Sequence, residues 1–481
     1  MGRARRPGLE AFLDLERFLT AAAGERLGLG EIERESERRG REVVRLALQS
    51  HLDARGPGDV GPAIVADGPH GPVRLAYKKL HTRSILTLFG EVSVSRVGYG
   101  APGQTSIHPL DAELGLPART YSYEYQRRLL RAAVCGPFDE AVFFLAEMTG
   151  VAIPKRSPEQ IVKDAAVDFD TFYVNRSGAT ARLARGEILV GAIDCKGIPM
   201  VKPEAATRLV RRAKGQKANK KKMATVAAVF SQPPCVRTPA AVLDSLFAPA
   251  DARSEHPRRV GPNNKRVWAS LTSTKDSFIA DVAAEMTRRD PRHRHTWVIV
   301  TDGERALQRR VATAFKDVTL VLDLLHVLEK LWRVAYVFHP EGSPEAAAFV
   351  RDRAERILGG GVSQVVKGLR QMVTKRGLTG VKAKTLREVA DYYYANRQRM
   401  RYDLYLANGW PIASGAVEGA CKNLVRDRFE RSGMRWTLEM AEAMLKMRAV
   451  HLSDDLQAYW EWHVQQDQQR LCATSWQVAR K

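Results

Sequence analysis

The sequence predicts an α/β fold: a strand-rich core carrying an all-helical insertion, preceded by a mostly helical region that contains a β-hairpin. Three observations predict it. Apolar residues recur at helical spacing over 9–55 and again over 121–170. Strand-like runs alternate with helical ones from 187 to about 340. Residues 341–408 then read as helical throughout and strongly basic.

In chain order, residues 9–55 mix apolar and charged positions at helical spacing, and the Gly/Pro-rich stretch 55–72 reads as a loop or linker. "SILTLFGEVSVSRVGYG" gives two β-rich runs around a glycine, a hairpin. "YSYEYQRRLLRAAVC", "FDEAVFFLAEM" and "SPEQIVKDAAVDFD" read as three short helices, broken at Gly136 and at "TGVAIPKR". The third carries a capping pattern: Ser157 as N-cap, Pro158 in the first turn and Gln160 at the third position. Helix, tight turn and short capped helix outline a helix-turn-helix, with Lys155, Arg156, Gln160 and Lys163 near DNA; an ordinary three-helix packing unit fits the same pattern.

"EILVGAIDCKGIPMV", "KKMATVAAVFS" and "KRVWASLTS" read as three antiparallel strands and "KDSFIADVAAEMTRR" as an amphipathic helix. "HTWVIVTDGE" is a buried strand, and "DVTLVLDLLHVLEKLWRVAYVFH" a short strand feeding a helix. Three strands, a helix, then strands alternating with helices is the element order of a ribonuclease-H-like fold. The chain thus divides into an N-terminal helical segment (1–60), a hairpin and linker region (61–120), and a helix-turn-helix-like region (121–180). The core follows (187–340), then the insertion (341–408), a last core helix (409–455) and a C-terminal tail (456–481).

The 481 residues suffice for two to four domains. No apolar run reaches the roughly 18–20 residues of a membrane helix, and "MGRARRPGLEAFLDLERF" has no apolar stretch after its basic start. A cytoplasmic protein with no membrane partner is the expectation. The five cysteines (Cys135, Cys195, Cys235, Cys421 and Cys472) include no C-x-x-C, against a zinc ribbon or a disulfide framework. A net charge of +22 points to a polyanionic partner, nucleic acid first, because lysines and arginines release counterions from phosphates.

Asp194 ends the run "ILVGAID" and Asp302 the run "WVIVTD", so each carboxylate falls at a strand end. Glu418 falls in the first turn of "SGAVEGACKNLVRDRFERSGMRW", which reads as one basic helix from Ser414 to Trp436 whose other acids are Asp427 and Glu430. Singly, Asp-Gly after a strand is a turn and a first-turn Glu serves the helix dipole. Together the three repel one another unless a divalent cation joins them. Hard oxygen ligands suit Mg2+ or Mn2+, and two such ions suit phosphodiester chemistry.

"GAIDCKG", "VTDGERAL", "LDLLHVLEKLW" and "ASGAVEGACKNLVRDRFERSGMRW" resemble the blocks of bacterial DDE transposases, closest to the Kra-type insertion-sequence group, relatives of the Mutator-like elements. The likeness covers roughly 80–450. It implies Asp194, Asp302 and Glu418 as a metal-binding catalytic triad, and a helical insertion between the second and third acids. Asp302 lies 108 positions past Asp194, and Glu418 a further 116, a gap that fits an insertion at about 340–408. The D-x-x-H pair Asp323 and His326 matches a pattern of the Mutator-like relatives; His326 then contacts DNA or orients the site, or is a structural histidine. The group's Cys-x-x-Cys zinc element is missing, its place taken by "SRVGYGAPGQTSIHPLD".

Basic residues cluster at three places. "RLVRRAKGQKANKKK" (208–222) has eight basic residues and no acid, including Arg211, Arg212, Lys214, Lys217, Lys220, Lys221 and Lys222; it is a phosphate-gripping or disordered loop. "DARSEHPRRVGPNNKR" is the second. In the insertion, Tyr392, Tyr393, Tyr394, Arg397, Arg399 and Arg401 read either as stacking faces for frayed DNA or as a buried aromatic stripe with a polar rim. After Glu418, Lys422 sits one turn below the carboxylate, and Arg426, Arg428, Arg431 and Arg435 are expected along a DNA backbone. The expected function is transposition of an insertion sequence: cleavage at terminal inverted repeats and 3′-hydroxyl strand transfer, by a homodimer or larger assembly on DNA. A nuclease or resolvase on the same fold, and a non-enzymatic DNA-binding derivative, are the rivals.

Overall fold

Two long helices, α1 (Pro7–Glu25) and α2 (Leu29–Ala54), open the chain and pack on each other. The computed structural model describes residues 7–68, 71–176, 183–201, 221–247 and 261–479. Contacts divide the chain into two units, Met1–Phe172 with Asp455–Lys481, and Tyr173–Asp454.

In the first unit, β1 (Ile64–Gly68) and β2 (Gly71–Leu75) pair antiparallel. The hairpin β3 (Tyr77–Thr87) and β4 (Gly90–Gly100) keeps one register from Tyr77↔Gly100 to Thr87↔Gly90. Its alternation buries Ile85, Val92 and Val94 against Leu110 of α3 (Pro109–Glu113), with Leu48 and Leu52 of α2 packed alongside. The hairpin needs no cysteine. The helices α4 (Tyr123–Cys135), α5 (Phe138–Thr149) and α6 (Ser157–Ala165) follow as expected.

Three expectations are corrected here. The stretch 55–72 is not all loop, since it contains β1. Ser157 does not cap α6: it is the first helical residue, and its hydroxyl lies 2.8 Å from the Tyr121 hydroxyl. The expected C-terminal tail, 456–481, carries defined elements over its described residues, 456–479. Helix Leu456–Leu471 buries Tyr459, Trp460 and His463, and strand Trp476–Val478 joins the β1–β2 sheet through Ala66↔Trp476. Asp168, 4% exposed, ties this segment in, accepting from Arg470 Nη1 at 2.6 Å and lying 2.7 Å from His463 Nδ1.

The second unit begins within α7 (Phe169–Asn175). Its sheet comprises β5 (Ile188–Pro199), β6 (Lys221–Gln232), β7 (Asn263–Ser270), β8 (Thr296–Thr301) and β9 (Thr319–Leu322), in the order β7-β6-β5-β8-β9. The first three strands are antiparallel; β8 and β9 run parallel to β5. Ile188–Ile193 are buried without interruption, the signature of a strand covered on both faces. The sequence predicted these five strands; it did not single out α8 (Pro239–Phe247).

The strands are joined by α9 (Lys275–Arg289) and α10 (Arg305–Ala314), and β9 runs into α11 (Leu324–Ala335). The insertion is four helices, α12 (Pro344–Leu358), α13 (Val362–Lys375), α14 (Gly380–Asn396) and α15 (Tyr402–Ala407). The expected single helix from Ser414 is several short pieces. An α-turn, α16 (Gly415–Ala420), passes into a π-helical stretch, Cys421–Arg426, then α17 (Asp427–Phe429) and a 3-10 turn. Trp436 then clips to the end of β5, its N–H donating to Pro199 O at 3.1 Å, before α18 (Leu438–Leu452) packs on β7. Among the described residues no helix is long and apolar enough to cross a membrane.

Candidate functional site

The register of β5 and β8 sets the first two acids side by side. Ile193 pairs with Thr301, the last residue of β8, so Asp302 stands just past that strand beside Asp194; β5 itself runs on to Pro199 against β6, so Asp194 lies within its strand and not at the strand end the sequence suggested. The third acid comes from the chain's other end. α16, with Glu418 in its first turn, packs on β5 and β6, and Cys421 at the head of the π-helical stretch reaches Asp194, its thiol 3.3 Å from Oδ2.

Asp323 fixes this convergence. It is fully buried and caps α11, accepting from Leu325 N at 2.7 Å. Its own N–H donates to Thr301 O at 3.0 Å, just before Asp302. Its other oxygen accepts from the Ser414 N–H at 3.1 Å and from the Ser414 hydroxyl. Ser414 O in turn accepts from Glu418 N at 2.8 Å. One residue, through its backbone N–H and its carboxylate, thus ties the end of β8 to the turn before Glu418.

His326 lies one turn on in α11, Nδ1 3.8 Å from Asp323 Oδ2 and buried with no hydrogen-bond partner. The Asp323 carboxylate raises the imidazole above its ordinary range against the opposing effect of burial, and Asp194 and Asp302 push the same way. Burial raises the Asp302 carboxyl; the Glu304 N–H, donating at 3.0 Å, opposes this, while the Asp194 charge adds to it. Glu418 is raised by partial burial and then by Asp323 and Asp194, with His326 opposing. The acids therefore share one negative field. Among the described residues no three His, Cys, Asp or Glu side chains form a group set to hold a metal ion.

The insertion reaches this field at Tyr402, whose hydroxyl donates to Leu322 O at 2.6 Å, and at Tyr392. Tyr392 of α14 packs on Gly303: a β-carbon there would fall 2.0 Å from the Tyr392 hydroxyl oxygen. Burial, then Asp302 and Asp323, push that hydroxyl above its ordinary value. Its neighbours diverge by helical phase. Tyr393 is fully buried and donates to Val327 O at 2.7 Å, while Tyr394 is exposed, with Arg397 4.3 Å from its ring centre. The triplet is thus neither all stacking surface nor all core.

The basic residues separate by exposure. Lys422, Arg426, Arg431 and Arg435 are exposed. Arg428 is not: it is 0% exposed, its guanidinium 4.8 Å from the Trp436 ring centre, because the stretch folds back on itself there. Its expected place along a DNA backbone is corrected to the core. Lys221 pairs with Glu430, and Lys222 is half-buried. Arg211, Arg212, Lys214, Lys217 and Lys220 lie outside the described residues. Around α6, Lys155 is exposed and 3.2 Å from Asp139, Arg156 is exposed, Gln160 donates to Asp164 at 2.9 Å, and Lys163 is half-buried.

Sequence reasoning did not find the roles of Ser414, Cys421 or Tyr392. Cys421 carried a signal, standing one helical turn from Glu418; Ser414 and Tyr392 act through contacts distant in sequence. No protein-family model matches this chain, and no curated protein matches it.

Proposed function

We propose that this chain is a DNA transposase of the DDE type, cutting the ends of an insertion sequence and joining them to target DNA. The observation that carries the reading is that Asp302 follows β8 beside Asp194 of the central strand β5, while α16, which bears Glu418, packs on β5 and β6. Three antiparallel strands followed by two parallel to the first support a ribonuclease-H-like core. The four helices α12 to α15 fall between α11 and the third acid, as an insertion in that fold requires.

Carboxylates are hard oxygen donors suited to divalent cations, and Asp302 and Glu418, each raised first by burial and further by the Asp194 charge, would gain from positive charge nearby. Bound Mg2+ or Mn2+, held by Asp194, Asp302 and Glu418, would activate a hydroxyl and neutralise the leaving oxygen. The chain's own residues do the rest. Asp323 and Ser414 keep the acids in register, Cys421 orients Asp194, and exposed Lys422, Arg426, Arg431 and Arg435 hold phosphates without reading bases. Water adds to phosphorus as the bond to the 3′-oxygen breaks, freeing a 3′-hydroxyl. That hydroxyl then attacks a target phosphodiester, displacing the target's own 3′-oxygen. Two ends must be cut together, so a dimer or larger assembly on DNA belongs to the reading.

The test uses Mg2+ and duplexes carrying the DNA that flanks the gene. Cleavage followed by strand transfer is expected, with loss of both, but not of binding, in Asp194→Asn, Asp302→Asn and Glu418→Gln. Glu418→Gln cutting like the wild type would sink the reading. Cleavage without strand transfer makes the protein a nuclease, and binding without cleavage a DNA-binding derivative.

A further inference from the structure

His326 and Lys330 stand four residues apart on α11 and so share a face. Lys330 is half-buried, its ammonium 5.7 Å from the Tyr392 ring centre, and among the described residues it makes no ion pair. Tyr392 comes from the insertion, its hydroxyl against Gly303 and without a hydrogen bond among the described residues. His326 Nδ1 is buried and turned to Asp323 Oδ2, 3.8 Å away, so it is spoken for. A half-buried ammonium with no carboxylate, beside an unpaired hydroxyl, is a pair of donors lacking its acceptor.

The acceptor must be anionic and oxygen-rich, and it must lie beside Asp302 without being cut itself. We propose that Lys330 and Tyr392 form a phosphate-binding subsite that takes a phosphodiester of the DNA strand next to the one being cleaved. Lys330 supplies the charge and Tyr392 the directed hydrogen bond. Gly303 leaves room for the tyrosine, so the insertion contributes a residue to the site as well as bulk beside it. The inference rests on the reading of the acids as a DNA-cutting centre.

The test scans one neutral methylphosphonate at a time through the flanking-DNA duplex and measures binding, with Ca2+ in place of Mg2+ so that nothing is cut. At one position next to the cleavage site the wild type should lose affinity about tenfold, in line with a charge-assisted contact. In Lys330→Gln and in Tyr392→Phe that loss should shrink to about threefold or less, while Lys330→Arg restores it. Tyr392→Phe keeps the ring on Gly303 and guards against a misfolded lysine variant. Equal methylphosphonate losses in wild type and both variants at every position would overturn the subsite. Failure of the catalytic reading looks different: Asp302→Asn would then cut like the wild type, while the binding scan still reports on the subsite.

Discussion

Asp323 is a buried carboxylate with both oxygens engaged, and its worth lies in what it joins. Asp323→Ala orphans the N–H groups of Leu325 and Ser414, at a cost of about 2–4 kcal/mol in chemical denaturation. Activity should fall further than stability implies, because the turn before Glu418 loses its tie to the end of β8. Full activity in a variant destabilised to that extent would show that the tie is not needed. Gly303→Ala tests a different contact. With no room for a β-carbon, Tyr392 must move, and cleavage is expected to drop about tenfold or more with little change in thermal midpoint. At this scale the sequence marked the acids, since each ends an apolar run or opens a helix. It could not mark Tyr392, whose partner Gly303 lies far away in the chain, nor choose among three adjacent tyrosines whose helical phase alone decides their surroundings.

The Cys421–Arg426 stretch is where local pattern and structure part most. A basic run with apolar residues at helical spacing reads as one helix, yet a π-helical turn, widened by one residue, changes the phase of everything after it. That rotation carries Arg428 inward while Arg426 and Arg431 stay outside. The two classes should separate by salt. Arg426→Ala and Arg431→Ala are each expected to lower the slope of log affinity against log salt by about 0.9 at unchanged stability. Arg428→Ala should leave the slope alone and destabilise the fold by about 2–4 kcal/mol. A reduced slope in Arg428→Ala at wild-type stability would return that residue to the DNA surface. The strands were far more legible, because each is an apolar run too short for a helix and bounded by turn residues. The capping pattern at Ser157 misled, since its hydroxyl lies against Tyr121 instead.

Across the molecule, stability in acid should follow one buried cluster of the second unit. Burial opposes ionisation of Glu285, but the guanidiniums of Arg266, Arg289 and Arg288 prevail and hold its carboxyl down to about 2. A carboxyl lower in the folded than in the unfolded chain lends stability above its ordinary value near 4.5, and that contribution is lost as pH falls toward 2. Glu285→Gln should therefore flatten the decline of stability between those pH values, as read by urea unfolding at several pH points; an unchanged decline would assign it to other acids. The alternation of elements made the α/β class plain from sequence, whereas the first unit's dependence on Asp455–Lys481 was hidden. A three-residue strand and a single Asp168–Arg470 pairing leave no periodic trace.

That dependence bears on the order in which the protein can be made. Ala66 and Trp476 are paired yet lie about four hundred positions apart, with the whole acid-bearing unit synthesised between them. On the ribosome the sheet of β1 and β2 must wait, one edge open, until the carboxyl-terminal strand emerges. A chain stopped early could thus bring all three acids together and still lack a finished first unit. That unit is completed only after the acid-bearing unit has been made, and copies stopped before Trp476 are set apart by an unpaired edge.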